Sequence, residues 1–249
     1  MEITVVICAY NEEKLIKGAI ESAYLLTDDV LVVDTESIDS TFEIAKKLGC
    51  RVVTFPFNRY VEPARNFALK SAKGNWVFIL DADERITPKL AQEIKKVLLE
   101  TSHSFFYIPR KNIFAGRKWL EHGGWYPDPV LRLIHKKSFK KWPHQIHSTP
   151  DISGTRGDLT HQIEHFFHPN LENMVQKTVV YEDIESSLLH NAGRDASLKI
   201  FFRKYFGELN RRLFKKAGYL DGSYGVIESF YQAYSKTITY LMLYEKNHK

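Results

Sequence analysis

The chain has 249 residues, 44% hydrophobic and 26% charged, with a formal net charge of +5 and a pI near 9.0. This is ordinary globular composition with enough apolar material for a core, which excludes a disulfide-dense scaffold. The mild basicity suits anionic partners: nucleotides, phospholipid headgroups or nucleic acid.

The only two cysteines, Cys8 and Cys50, sit in apolar strand-like runs and fit a reducing compartment. There is no C-x-x-C pair for zinc. No stretch is long and apolar enough to span a bilayer, and the opening "MEITVVICAYNEE" lacks a basic leader. The expectation is a soluble or membrane-peripheral chain.

The first hundred residues alternate between two periodicities. "ITVVICAY" is a β-branched run without polar alternation, so it predicts a strand buried on both faces. Leu15, Ile16, Ala19, Ile20 and Ala23 have helical spacing within Glu12–Leu26. "DVLVVD" predicts a second buried strand, followed by a helix capped by Asp39 or Ser40 and closed by Gly49. "CRVVTFPF" predicts a third strand, and Glu62–Ala72 a helix with Pro63 in its first turn. "WVFIL" predicts the fourth, and Thr87-Pro88 opens the next helix. Strand–helix repetition of this kind makes an α/β domain, a mostly parallel Rossmann-like sheet flanked by helices. From Ser104 the runs shorten into mixed or antiparallel strands, and after about Asn170 the chain reads as helix to its end. There is no G-x-G-x-x-G, no Walker loop and no G-x-S-x-G, so neither an ordinary dinucleotide or P-loop site nor a serine hydrolase is expected.

"WVFILDADER" raises the functional question. A buried strand ends in Asp81-Ala82-Asp83-Glu84. Ligands of open α/β sheets bind outside the carboxyl ends of the strands. Residues two apart on a strand share a side, so Asp81 and Asp83 are expected to face one crevice. Two close carboxylates repel unless a cation lies between them, and a hard divalent ion, Mg²⁺ or Mn²⁺, suits carboxylate oxygens. Other strand ends add Tyr10-Asn11-Glu12 and Asp34, and the helix after the third strand adds Arg65. As a bare D-x-D the pair is equally a loop start and cap; convergence of polar groups on one sheet edge favours a site.

"VVICAYNEE", "VLVVDTESIDST", "EPARNFALKSAKGNWVFILDADE" and "HGGWYPDPVLRLI" occur in an order and spacing that resembles the family 2 glycosyltransferases of the GT-A fold. The branch they resemble most adds glucose or a related sugar to the lipopolysaccharide core. The similarity runs from about Ile3 to Pro169 and resumes at "GYLDGSYG". It implies a GT-A catalytic domain over 1–169, with a nucleotide-sugar half to about 100 and an acceptor half from 101. Residues 170–249 form a helical extension. It implies that Tyr10, Asn11 and Glu12 line the nucleotide pocket and that Asp34 contacts the uracil or ribose. Arg65 would hold the base, and Asp81 with Ala82 would meet the ribose or a metal-bound water. Asp83 would ligate the divalent metal on the donor diphosphate.

In "HGGWYPDPVLRLI", Gly123-Gly124 permits close backbone approach, and Trp125 and Tyr126 offer flat faces to an acceptor sugar. Asp128 lies between Pro127 and Pro129 and is either a turn residue or, as the resemblance implies, the general base. A V-H-E-like motif of the relatives corresponds to Ile146-His147-Ser148, where the acid is missing; His147 is a candidate further metal ligand. "HQIEH" at 161–165 spells a zinc signature, but flanking glycines and Pro169 predict a strand instead of the helix that signature needs.

In the tail, Phe202, Phe206, Leu209 and Leu213 repeat at helical spacing among Arg203, Lys204, Arg211, Arg212, Lys215 and Lys216. Such a stripe lies at a membrane interface, or packs on the core or on a second subunit as a homodimer. No nucleic-acid-binding motif is present. The expected activity is inverting, metal-dependent transfer of a hexose from a nucleotide sugar, UDP-linked, to a glycan or lipid-linked acceptor such as a lipopolysaccharide core. The expected place is the cytoplasm or the inner face of the plasma membrane. A sugar-phosphate nucleotidyltransferase would carry a Gly-rich basic loop where Tyr10-Asn11-Glu12 stands. A nucleotide-sugar-binding protein without turnover is the other alternative, kept open by Ser148.

Overall fold

A computed structural model describes residues 2–144, 148–168 and 171–249. The chain divides into two compact units: Met1–Arg110 with Pro129–His165, and Lys111–Asp128 with Phe166–Lys249.

In the first unit the elements run β1 (Ile3–Ala9), α1 (Ile16–Ala23), β2 (Val30–Asp34), α2 (Thr41–Lys47), β3 (Arg51–Thr54) and α3 (Glu62–Ser71). They continue with β4 (Trp76–Asp81), β5 (Glu84–Arg85), α4 (Pro88–Glu100) and β6 (Phe105–Phe114), whose last residues belong to the second unit. The segment Lys118–Trp119, β7, lies in the second unit. β8 (Pro129–His135), β9 (Phe139–Lys141), β10 (Asp151–Ile152), β11 (Arg156–Asp158) and β12 (Ile163–Phe167) follow.

Strands β3-β2-β1-β4 are parallel, as the alternation of periodicities predicts. β8 and β6 then join antiparallel, and β12 and β5 complete the order. Parallel strands must be covered on both faces, and β1 shows how. Ile3, Val5, Ile7 and Ala9 enter a core with α1 and α4, whereas Val6 enters the opposite one with Ala64, Ala68 and Leu69 of α3. Thr87 caps α4, accepting from the Leu90 amide at 3.2 Å, and Pro63 opens α3. For α2 the working cap is Asp39, which accepts from the Thr41 amide at 3.0 Å; Ser40 makes no cap bond. α1 begins four residues later than its apolar spacing predicts, because Glu12–Leu15 form a turn.

The second unit contains the end of β6 paired with β7, the loop to Asp128, and the helices α5 (Leu171–Asn191), α6 (Leu198–Leu209) and α7 (Gly222–Asn247). α5 and α6 each pack along α7. A π-helical turn, Asn210–Lys215, and a 3₁₀ turn, Gly218–Asp221, join α6 to α7. Phe114, Leu120, Phe167 and Met174 make its small core, with Trp125, Tyr224 and Tyr231 against them. Among the described residues, no helix is long and apolar enough to cross a membrane.

Candidate functional site

In-register parallel pairing brings the ends of β1, β2 and β4 to one edge: Cys8 lies opposite Val33 on one side and Asp81 on the other. Asp81 closes β4. Its Oδ1 accepts from Arg65 Nη2 at 2.5 Å and its Oδ2 from Arg132 Nη2 at 2.5 Å. Burial alone would raise the Asp81 pKa, but the charges and hydrogen bonds of Arg132 and Arg65 hold it well below the usual carboxylate range.

Arg132, on β8 and 4% exposed, also donates to Glu84 at 2.6 Å. Glu84 is fully buried and folds back over the turn to accept from the Asp81 amide at 3.1 Å; Arg110 stands 3.7 Å from it. Arg85 clamps the same turn, donating to the carbonyls of Ala82 at 2.9 Å, Glu84 at 2.6 Å and Leu15 at 2.9 Å. It occupies the space left by Gly18, where a Cβ would stand 2.6 Å from Arg85 Nε. The negative knot after β4 is therefore a turn braced by guanidinium groups. Arg132, Glu84, Arg110 and Arg85 are absent from the sequence-based set. The signal for Arg132 is an arginine in an otherwise apolar β8 run.

β4 ends at Asp81, so the strand period does not extend to Asp83, which stands in the turn. This corrects the expectation that the strand aims both carboxylates into one crevice with a single cation between them. Asp81 meets arginines. Asp83 Oδ2 lies 3.5 Å from His165 Nε2, because β12 pairs with β5 and sets His165 opposite Glu84. Both side chains are largely buried, 21% and 14% exposed. A carboxylate and an imidazole are donors that a divalent ion accepts, and such ions complete their shell with water and phosphate oxygens. The pair fits a metal held mostly by its substrate. Among the described residues, no three His, Cys, Asp or Glu side chains gather as a closed metal cage. His147, the other predicted ligand, lies outside the described residues. The H-x-x-E-H stretch contributes a strand, as expected, with His161 bonded to Glu93 at 2.9 Å.

At the end of β1, Tyr10 is 40% exposed with its ring 4.4 Å from Phe57. Asn11 adopts φ 53°; its Oδ1 accepts from the Ile38 amide at 2.8 Å, and the Glu12 amide donates to Thr41 Oγ1 at 2.8 Å. These bonds fasten β1 to the loop after β2. Asp34 closes β2 at 3% exposure. Its Oδ2 accepts from the Ser37 amide at 3.1 Å, but its Oδ1 is buried with no hydrogen-bond partner. A buried acceptor without a protein donor is costly unless water or another group supplies one. Arg65 Nε is likewise buried without a partner, and its guanidinium lies 5.3 Å from the centre of the Trp142 ring.

In the second unit, Gly123 and Gly124 take φ 68° and 84°, which suits their glycine identity. The Gly123 amide donates to Lys216 O at 2.8 Å. The His122 amide and Nδ1 reach the buried Asp221 carboxylate at 2.8 and 3.0 Å. Asn112, fully buried, donates through Nδ2 to Trp125 O at 2.7 Å and to Asp128 Oδ2 at 3.1 Å. Asn112 thus aims Asp128, and nothing in the sequence pattern singles it out. The indole of Trp125 stacks on Phe167 at 4.9 Å and carries Arg212 4.9 Å from its centre; Tyr126 meets Trp119 edge-on at 5.3 Å. On α7, Glu228 is buried. Its Oε1 accepts from Gln232 at 2.8 Å and its Oε2 has no partner. Burial pushes its pKa up to about 7, against the Gln232 hydrogen bond and the Arg212 charge.

The model of glycosyl transferase family 2 matches residues 4–157. A Rickettsia conorii protein described as an uncharacterised glycosyltransferase is 25% identical over 259 residues, covering 100% of this chain and 92% of its own. The Escherichia coli UDP-Glc:α-D-GlcNAc-diphosphoundecaprenol β-1,3-glucosyltransferase WfaP is 31% identical over 124 residues, 46% of this chain and 49% of that protein. Staphylococcus aureus TarS 1–349 in complex with UDP-GlcNAc superposes with a TM-score of 0.54 at 16% identity, covering 100% of this chain and 92% of that one, which shows a shared GT-A fold. A doubly covered parallel sheet with polar groups at its strand ends, and a family match over more than half the chain, lead to one conclusion: this chain belongs to glycosyl transferase family 2, enzymes that transfer a sugar from a nucleotide-sugar donor.

Proposed function

We propose that the chain is an inverting, divalent-metal-dependent hexosyltransferase that uses a UDP-sugar and a glycan or glycolipid acceptor such as a lipopolysaccharide core. The observation that carries the donor reading is the buried Asp34 Oδ1, which no protein donor reaches, at the parallel sheet edge that also holds Asp81, with Asp83 in the turn that follows. An acceptor atom there suits the N–H of a uracil or a ribose hydroxyl. The family relative named for UDP-Glc and a diphosphoundecaprenol-linked sugar supports a UDP-linked donor and a lipid-linked acceptor.

In this reading Asp83 and His165 would hold the metal, whose charge would offset that of the diphosphate leaving group when bound. Arg65 and Arg132 keep Asp81 ionised and fixed, so the wall of the donor site does not change charge near neutral pH. Tyr10 and Ala82 line the nucleotide, with Asn11 and Glu12 shaping the loop around it. Asp128, aimed by Asn112, takes the proton of the acceptor hydroxyl as that oxygen bonds to the anomeric carbon. The bond from that carbon to the diphosphate breaks in the same displacement, which inverts the configuration. Tyr126 offers its face to the acceptor sugar.

Calorimetry of UDP binding, with and without Mn²⁺, on wild type and Asp83→Asn tests the donor half. We expect metal-strengthened binding that Asp83→Asn reduces to the metal-free level. Binding indifferent to both metal and substitution would overturn the assignment.

A further inference from the structure

The net charge of the chain is concentrated in one segment. From Leu198 to Lys216 there are seven lysines and arginines and one acid, Glu208, so this stretch alone exceeds the +5 of the whole protein. Glu208 is taken by Arg211 and Arg212, at 2.6 and 2.7 Å. Lys199, Arg203, Lys215 and Lys216 stand exposed.

The same segment exposes large apolar side chains. Leu198, Phe202 and Phe206 follow one another at one helical turn on α6 and are 77%, 53% and 59% exposed. The rings of Phe202 and Phe206 lie stacked, 6.3 Å apart. Phe214, in the turn after α6, is 61% exposed. No residue of α6 is fully buried. Three half-exposed phenylalanines in a short segment are unusual for a surface facing only water.

We propose that the Leu198–Lys216 face is a docking surface for an anionic lipid bilayer. Apolar rings enter the headgroup boundary, and flanking lysines and arginines meet lipid phosphates. A second copy of this chain is the poorer occupant, since a two-fold contact over this face would set a strongly cationic surface against itself. Nucleic acid would match the charge but gains little from Leu198 and from phenylalanines stacked on each other. α7 gives an internal contrast: it exposes Ile227, Phe230, Tyr234, Leu241 and Tyr244, yet its acids and bases balance. Of these two segments, only the one around α6 couples exposed rings to excess positive charge.

The test is flotation of the full chain with vesicles of equimolar phosphatidylglycerol and phosphatidylcholine, or of phosphatidylcholine alone. Binding is expected to the anionic vesicles and to fall with salt. Each neutralised cation, as in Lys215→Gln or Lys216→Gln, should weaken partitioning about fivefold. Phe202→Ser with Phe206→Ser should weaken it by about tenfold or more. These side chains are exposed, so the double variant should melt with wild type; Leu241→Ser on α7 should leave vesicle binding unchanged. Equal partitioning onto neutral vesicles, or none onto either kind, would overturn the proposal. So would wild-type binding by the phenylalanine variant, a dimer that this variant converts to monomers, or capture of a single-stranded RNA oligonucleotide in place of vesicles. UDP binding measured in parallel separates this result from the donor-site reading, since either can fail alone.

Discussion

At the end of β4, Asp81 and Glu84 lie beneath the guanidinium groups of Arg65, Arg110 and Arg132, whereas along α6 lysines and arginines stand at the surface beside exposed phenylalanine rings. Both regions are dense in charge. In the first, charge taken out of water must be answered by opposite charge in fixed geometry, so it builds a rigid wall. In the second, water answers the charge, and the side chains stay free to meet something outside the protein. The contrast teaches that density of charged residues does not by itself mark function. Burial decides whether a charge serves the fold or a partner.

The sharpest way to break the comparison is Arg132→Ala. It leaves Asp81 and Glu84 buried with a cation gone, and should cost about 3–5 kcal/mol in urea unfolding; a cost near that of a surface substitution would mean water reaches the turn.

Glu228 tests a buried charge that lacks a full answer. Its pKa is raised from 4.5 to about 7, so the folded chain holds a proton the unfolded chain has released. Stability should therefore fall as pH rises between those values and level off above, by about 3 kcal/mol. Glu228→Gln should flatten that slope, read by melting across the range. Asp81 has the opposite sign: its folded pKa is depressed, so its contribution is present above the unfolded value near 4 and is lost as pH falls through the lower folded value. Acid unfolding below about pH 4 should accordingly be steep in wild type.

A smaller effect is expected at Asn112→Ala, which frees Trp125 O and Asp128 Oδ2 of a buried donor. The stability loss should be about 1–3 kcal/mol, and turnover, once a sugar donor is identified, should fall more than nucleotide affinity. Smallest of all, Lys215→Gln with Lys216→Gln should move stability by less than about 0.5 kcal/mol. The vesicle measurement is where those two lysines should register.

Much of the fold was legible because its signals are local. β1, β2 and β4 are apolar runs that alternate with helix-spaced residues, and Thr87-Pro88 announces a helix by its own chemistry. Of the candidate site, the positions of Asp34 and Asp81 at strand ends were legible, as polar residues ending such runs. The Asp83–His165 approach was not, since it depends on the pairing of β5 with β12, far apart in sequence. Asn112 was not either, and Arg132 stood out in its apolar run without its partners being legible: a single polar residue in a strand carries no periodic signal of the partner it will meet. The tail divides in the same way. Leu213 and Phe206 belong to one predicted stripe, yet Leu213 is 9% exposed and Phe206 59%. The chain leaves α-helical geometry at Asn210–Lys215, and the stripe does not continue straight.

By itself, then, the sequence determined the alternating strands and helices, the family motifs, and the crowding of acids after Leu80 and of bases after Leu198, because each is set within a few residues along the chain. Only the tertiary structure decided that Asp81 is answered by arginines while Asp83 stands with a histidine. It alone buried Asp34 at the sheet edge, and turned Phe202 and Phe206 of α6 outward. Burial and long-range pairing are properties of how segments come together, and no local pattern carries them.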